Sequence, residues 1–131
     1  QCIVADYFSA VNAVKNAGIE AEVSVLLGAS GLETQETISK SIQEARRMFA
    51  HFVHYSIALP FPNTALYKIA KEKGWIAGGE FYPVDNARDG ILNLPLVKAD
   101  ALKKMLKRCY IRQYLSIDFI FKEVIKIRSF E

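Results

Sequence analysis

Apolar residues set the first expectations. Ile3, Val4, Tyr7, Val11 and Val14 recur at helical spacing, which predicts a helix over roughly residues 3–17 that stops at Gly18. Val23-Ser24-Val25-Leu26-Leu27 is short, β-branched at its start and nearly all apolar, as expected of a strand buried on both faces in a parallel sheet. Thr34 is a good cap for a second helix reaching about Ala50. That helix sets Ile38, Ile42, Ala45, Met48 and Phe49 on one face and Glu36, Lys40, Gln43 and Arg47 on the other. Phe52–Ala58 reads as a second strand, ended by Pro60 and Pro62, which have no N–H to give a ladder. Asn63 or Thr64 caps a third helix, Ala65–Lys73, and Gly74 stops it.

Strand, helix, strand and helix in this order predict a βαβ unit with a right-handed crossover. Two strands do not make a stable sheet alone, so further strands are expected from outside this sequence or from neighbouring chains. The texture then changes. Residues 77–97 hold Gly78-Gly79, Pro83, Gly90 and Pro95, the mark of an irregular loop, with Ile91–Leu94 as a short extended piece. Lys98–Leu115 reads as a helix burying Leu102, Met105, Leu106, Cys109 and Tyr110. Ser116 is positioned to cap a last helix carrying Phe119, Ile120, Val124 and Ile127.

Composition alters this picture little. The 131 residues are 51% hydrophobic and 24% charged, with no apolar run of the ~18 residues a membrane span needs. The first residues, Gln1-Cys2-Ile3, have neither an initiating Met nor a signal-peptide pattern and read as a chain begun mid-protein. Cys2 and Cys109 allow one disulfide, but two free thiols in a reducing cytoplasm are the favoured reading. His51 and His54, three apart at the start of a strand, point to opposite faces and make a poor metal pair. The net charge of +3 conceals an uneven spread: residues 98–128 carry nine Lys or Arg against three Asp or Glu. A solvated helix face explains this best; an acidic or nucleic-acid partner is the alternative.

The chemistry-bearing stretches are the two turns at the carboxyl ends of the strands, where α/β folds bind ligands. They are Gly28-Ala29-Ser30-Gly31-Leu32-Glu33-Thr34 and Leu59-Pro60-Phe61-Pro62-Asn63-Thr64. With Lys15-Asn16-Ala17-Gly18-Ile19 before them and Ala65-Leu66-Tyr67 after, their order and spacing resemble the second half of a radical S-adenosylmethionine (SAM) core domain. Tyr110-Ile111-Arg112-Gln113-Tyr114-Leu115 is similar to the region following that core in cobalamin-associated members such as the anaerobic magnesium-protoporphyrin ester cyclases, although Ser116-Ile117 stands where Arg-Pro is usual.

The resemblance implies a fragment of a partial (β/α)6 barrel. Residues 1–76 would give its last two β/α units, 77–97 the irregular loop and 98–131 a helical extension. It implies a parent oxidoreductase that cleaves SAM reductively with a [4Fe–4S] cluster, and in the subfamily resembled a cobalamin. The cluster's Cys-x-x-x-Cys-x-x-Cys is absent here, so the fragment is expected to hold no cluster and to be inactive alone. By the resemblance, Leu26, Gly28, Glu33, Ala58, Leu59 and Pro60 border the adenosine. Three of them have a plainer reading: barrel core for Leu26, a structural turn for Gly28, a helix-dipole partner for Glu33. No residue is assigned a catalytic or metal-ligating role. Tyr82, Asp85, Asn86, Arg88 and Asp89 read as a polar loop. Expected partners are the missing N-terminal half, a small-molecule substrate in the parent, and an oligomer through the exposed sheet edge. The rival reading is a non-enzymatic basic helical module that binds nucleic acid or a protein.

Overall fold

A computed structural model describes residues 4–115 and Ile120. Cys2 and, apart from Ile120, the helix expected after Ser116 with Phe119, Val124 and Ile127 lie outside the described residues. The elements run α1 (Val4–Asn16), β1 (Glu22–Leu27), α2 (Gln35–Arg47), β2 (Phe52–Ile57), α3 (Ala65–Glu72) and α4 (Ala99–Tyr114).

The turns are built by local chemistry. Thr34 and Thr37 form a reciprocal capping box at the start of α2, and the Thr64 side chain accepts from Tyr67 N to start α3. The second helix ends at Arg47, short of the predicted Ala50, because Phe49 turns to a left-handed φ of 49°. Phe49 is therefore 66% exposed rather than on the buried face with Ile38, Ala45 and Met48.

β1 and β2 are parallel, Glu22 opposite Phe52 through to Leu27 opposite Ile57. One face carries Leu27, Val53, Tyr55 and Ile57, all buried, with Val23 and Val25 partly covered. Against it pack α2, through Ile38 and Ala45, and α4, through Leu102, Leu106 and Cys109. Residues 77–97 hold no helix or strand, yet Ile91, Leu92 and Leu94 are fully buried beside Ala70 and Ile76. A bridge joins Ile76 to Leu92.

Two expectations fail here. Burial on both faces of β1 does not occur: Glu22, Ser24 and Leu26 are exposed, as are Phe52 and His54 beside them on β2. The partial (β/α)6 barrel is likewise overturned. Among the described residues the sheet has two strands and is open. A barrel strand needs a ladder on each side. Among the described residues β2 has one only toward β1, because side chains of α4 finish its outer edge: the Tyr110 hydroxyl donates to Tyr55 O at 2.6 Å and the Tyr114 hydroxyl to Val53 O at 2.9 Å. Among the described residues what remains is a small open α/β unit of four helices and one parallel strand pair.

Candidate functional site at the carboxyl ends of the strands

β1 and β2 end side by side, and Ala58 N donates to Leu27 O at 2.8 Å to extend the ladder into the rim. There the chain leaves β1 through Gly28, at φ 75°. A Cβ on Gly28 would stand 2.8 Å from Leu102 Cδ1, so α4 packs directly beneath the turn. Gly31 lies against the Trp75 indole so closely that a Cβ would overlap the ring. The loop is thus held by α4 on one side and by the residue after Gly74 on the other.

Glu33 ties the loop from within. One carboxylate oxygen accepts from Gly28 N at 3.0 Å and the other from Ser30 N at 2.9 Å. Two charge-assisted bonds to backbone N–H groups are stronger than neutral ones and fix the loop's path. At the second rim Pro60 is fully buried, Ala58 is 0% exposed, and Leu59 is half-buried. Phe61 N donates to Leu59 O at 3.0 Å, and Thr64 Oγ1 to Phe61 O at 2.7 Å.

The six predicted residues therefore gather at one edge but differ in role. Leu26 is 55% exposed on the bare sheet face and Leu59 is half-buried at the rim, so both present apolar surface. Gly28, Glu33, Ala58 and Pro60 are engaged in shaping the turns. Phe61, 53% exposed, and Leu32, 85% exposed, add apolar surface that the sequence had not singled out.

The loop residues with candidate polar chemistry serve the fold. Asn86 O accepts from Ile57 N at 2.8 Å, and Asp85 pairs with Arg88 at 3.5 Å. Asp89 meets Lys103 at 2.8 Å, and that hydrogen bond, with one from Gly90 N, holds its carboxyl below the usual range. His51 Nδ1 accepts from Ala21 N at 2.9 Å, joining the start of β2 to that of β1. A groove of about 320 Å³ between the 87–88 turn and α4 contains none of the six rim residues. Burial raises the Tyr55 phenol and pushes the Cys109 thiol up to about 11, so neither ionises near neutrality.

No known family matches the chain, and no solved structure does. A protein of Pyrococcus horikoshii described as an uncharacterized methyltransferase is 24% identical over 121 residues, which is 92% of this chain and 26% of that protein. The chain thus spans about a quarter of the length of the curated relative it matches.

These comparisons overturn the radical SAM assignment and, with it, the cyclase-like subfamily. The similarity runs to a methyltransferase and no family match stands behind the motif phrases. Local turn chemistry accounts for those phrases: Thr34 and Thr64 cap helices, Glu33 binds its own loop, and the prolines end a strand. Reductive SAM cleavage, the Fe–S oxidoreductase activity, the [4Fe–4S] cluster and the cobalamin fall together. Among the described residues no three His, Cys, Asp or Glu come together to hold a metal ion. The rival basic module gives way too. α4 buries Ala99, Leu102, Leu106 and Cys109, and the methyltransferase similarity covers nearly the whole chain. Among the described residues no helix is long and apolar enough to cross a membrane.

Proposed function

We propose that this chain is a segment of a longer methyltransferase-like enzyme and forms one rim of its ligand site. The similarity over 92% of the chain to a methyltransferase carries this reading. The rim supports it, because crevices outside the carboxyl ends of parallel strands are the usual ligand sites of α/β folds. The methyl donor suggested by that class is SAM, acting by methyl transfer to a small-molecule acceptor.

The residues fit a contact at the donor's flat apolar part better than a grip on its polar groups. Leu26 and Leu59 offer apolar surface to an adenine ring. Gly28, Glu33, Ala58 and Pro60 act as positioning residues, since Glu33 already spends both carboxylate oxygens on its own loop. The cytoplasm, where such donors are made, is the proposed location.

The test is photo-cross-linking of the full-length gene product with an azido-adenosyl analogue of the donor, followed by peptide mapping. Label on peptides containing Leu26 or Leu59 is expected, with loss of labelling in Leu26→Asp. Label confined to other parts of the protein overturns the assignment.

A further inference from the structure

The two edges of the sheet are finished differently. The ladder bonds at its two ends, Phe52 N to Ala21 O and Ala58 N to Leu27 O, set the phase: Val23, Val25 and Leu27 turn their backbone groups toward β2. Val53, Tyr55 and Ile57 of β2 therefore face outward, and each finds a partner within the chain. Val53 O accepts from the Tyr114 hydroxyl, Tyr55 N and O both bond the Tyr110 hydroxyl, and Ile57 N donates to Asn86 O. That edge is closed to any further strand.

The opposite edge is bare. Glu22, Ser24 and Leu26 turn their N–H and C=O groups away from β2, and among the described residues no hydrogen bond reaches them. Among the described residues no Pro, bulge or covering loop protects this edge, and Glu22 is its one charged side chain. Its side chains are one acid, one small polar residue and a 55% exposed leucine. A parallel pair whose edge and face are both uncovered by the described residues is an incomplete sheet among them.

We propose that the outer edge of β1 receives an extended strand from the part of the same polypeptide beyond these 131 residues. Strand addition supplies partners to Glu22, Ser24 and Leu26 without altering any bond now present. The occupant follows from length: the chain covers 26% of the relative it matches, so most of that protein lies outside the match. This rests on the reading of the chain as a segment of a longer enzyme, but not on methyl transfer. Loss of donor labelling would sink the function and leave the strand pairing untouched.

Amide hydrogen exchange, on the full-length gene product and on the 131-residue chain, tests it. In the short chain the Ser24 and Leu26 amides are expected to exchange at least tenfold faster than those of Val25 and Tyr55. In the full-length protein they slow to match them. Fast exchange of Ser24 and Leu26 in both overturns the proposal. So does slow exchange in the short chain that appears only as concentration rises, which assigns the edge to a second copy. A gene product ending within these 131 residues overturns it outright.

Discussion

The Tyr110 hydroxyl closes the outer edge of β2 at one residue, donating to Tyr55 O at 2.6 Å and accepting from Tyr55 N at 3.2 Å. The two rings meet edge to face, 5.6 Å between centroids. A single side-chain oxygen thus does what a neighbouring strand would do for that residue. Tyr110→Phe keeps the ring contact and removes both bonds. A part-buried N–H and C=O then lack partners, at roughly 1–3 kcal/mol. Urea titration should give a lower midpoint with little change in slope, and the Tyr55 amide should exchange faster. An unchanged midpoint would mean that water replaces the hydroxyl without loss.

Glu33 invites the corresponding test on the rim. Glu33→Ala removes the acceptor for Gly28 N and Ser30 N. Bonds to a charged acceptor contribute about 1.5–3 kcal/mol when well formed, and this loop is partly open to water, so the expected loss is nearer the lower figure. The diagnostic readout is local: the Ser30 amide, protected in the native chain, should exchange freely in the variant while Tyr55 stays protected.

Much of this arrangement was legible in the sequence, and the exceptions are instructive. Capping residues and apolar period located both strands and the helices between them, because those signals act over a few residues. What the sequence hid depends on contacts far along the chain. Tyr110 reads as a buried residue of a helix and Tyr114 stands in a stretch of family resemblance, and nothing local says that their hydroxyls bond to a strand some sixty positions earlier. Leu26 reads as buried because its neighbours are apolar, yet whether a strand face is covered depends on what lies across it. The rim phrases misled for the opposite reason: turn and cap chemistry repeats across unrelated α/β proteins, so it resembles a family without establishing one.

Gly31 offers a prediction from close approach rather than from backbone strain. A Cβ there overlaps the Trp75 indole, the chain's single tryptophan. Gly31→Ala must push the ring aside, at roughly 1–3 kcal/mol for an overpacked site. Because Trp75 also packs with the Ile76 and Leu92 cluster, the displacement should appear as a red-shifted emission in the native state. Emission identical to the wild type would show that the loop moves instead of the ring.

Cys109 gives a pH dependence. Its thiol is buried and pushed up to about 11, with burial the leading cause. In the unfolded chain the thiol ionises near the ordinary value of about 9. The folded state therefore holds its proton where the unfolded state has lost it, and stability falls as pH rises from about 9 to about 11. Cys109→Ala should flatten the decline relative to wild type over that window, measured by urea midpoints. In a Cys2→Ser background, iodoacetamide should modify Cys109 slowly at pH 8 and at least a hundredfold faster in urea. Equal rates would place the thiol at the surface.

Proline scanning of β1 tests the phase of the ladder itself. Ser24 turns its N–H outward, so Ser24→Pro removes a donor that bonds nothing among the described residues. Val25 turns its N–H toward β2, so Val25→Pro breaks a ladder bond and leaves a carbonyl of β2 unpaired. In the 131-residue chain the first change should shift the unfolding free energy by less than ~1 kcal/mol and the second by roughly 1–3 kcal/mol or more. In the full-length protein the difference should narrow, because there Ser24 N–H is expected to have a partner to lose. If both substitutions are equally damaging in the short chain, the outer edge of β1 is already engaged.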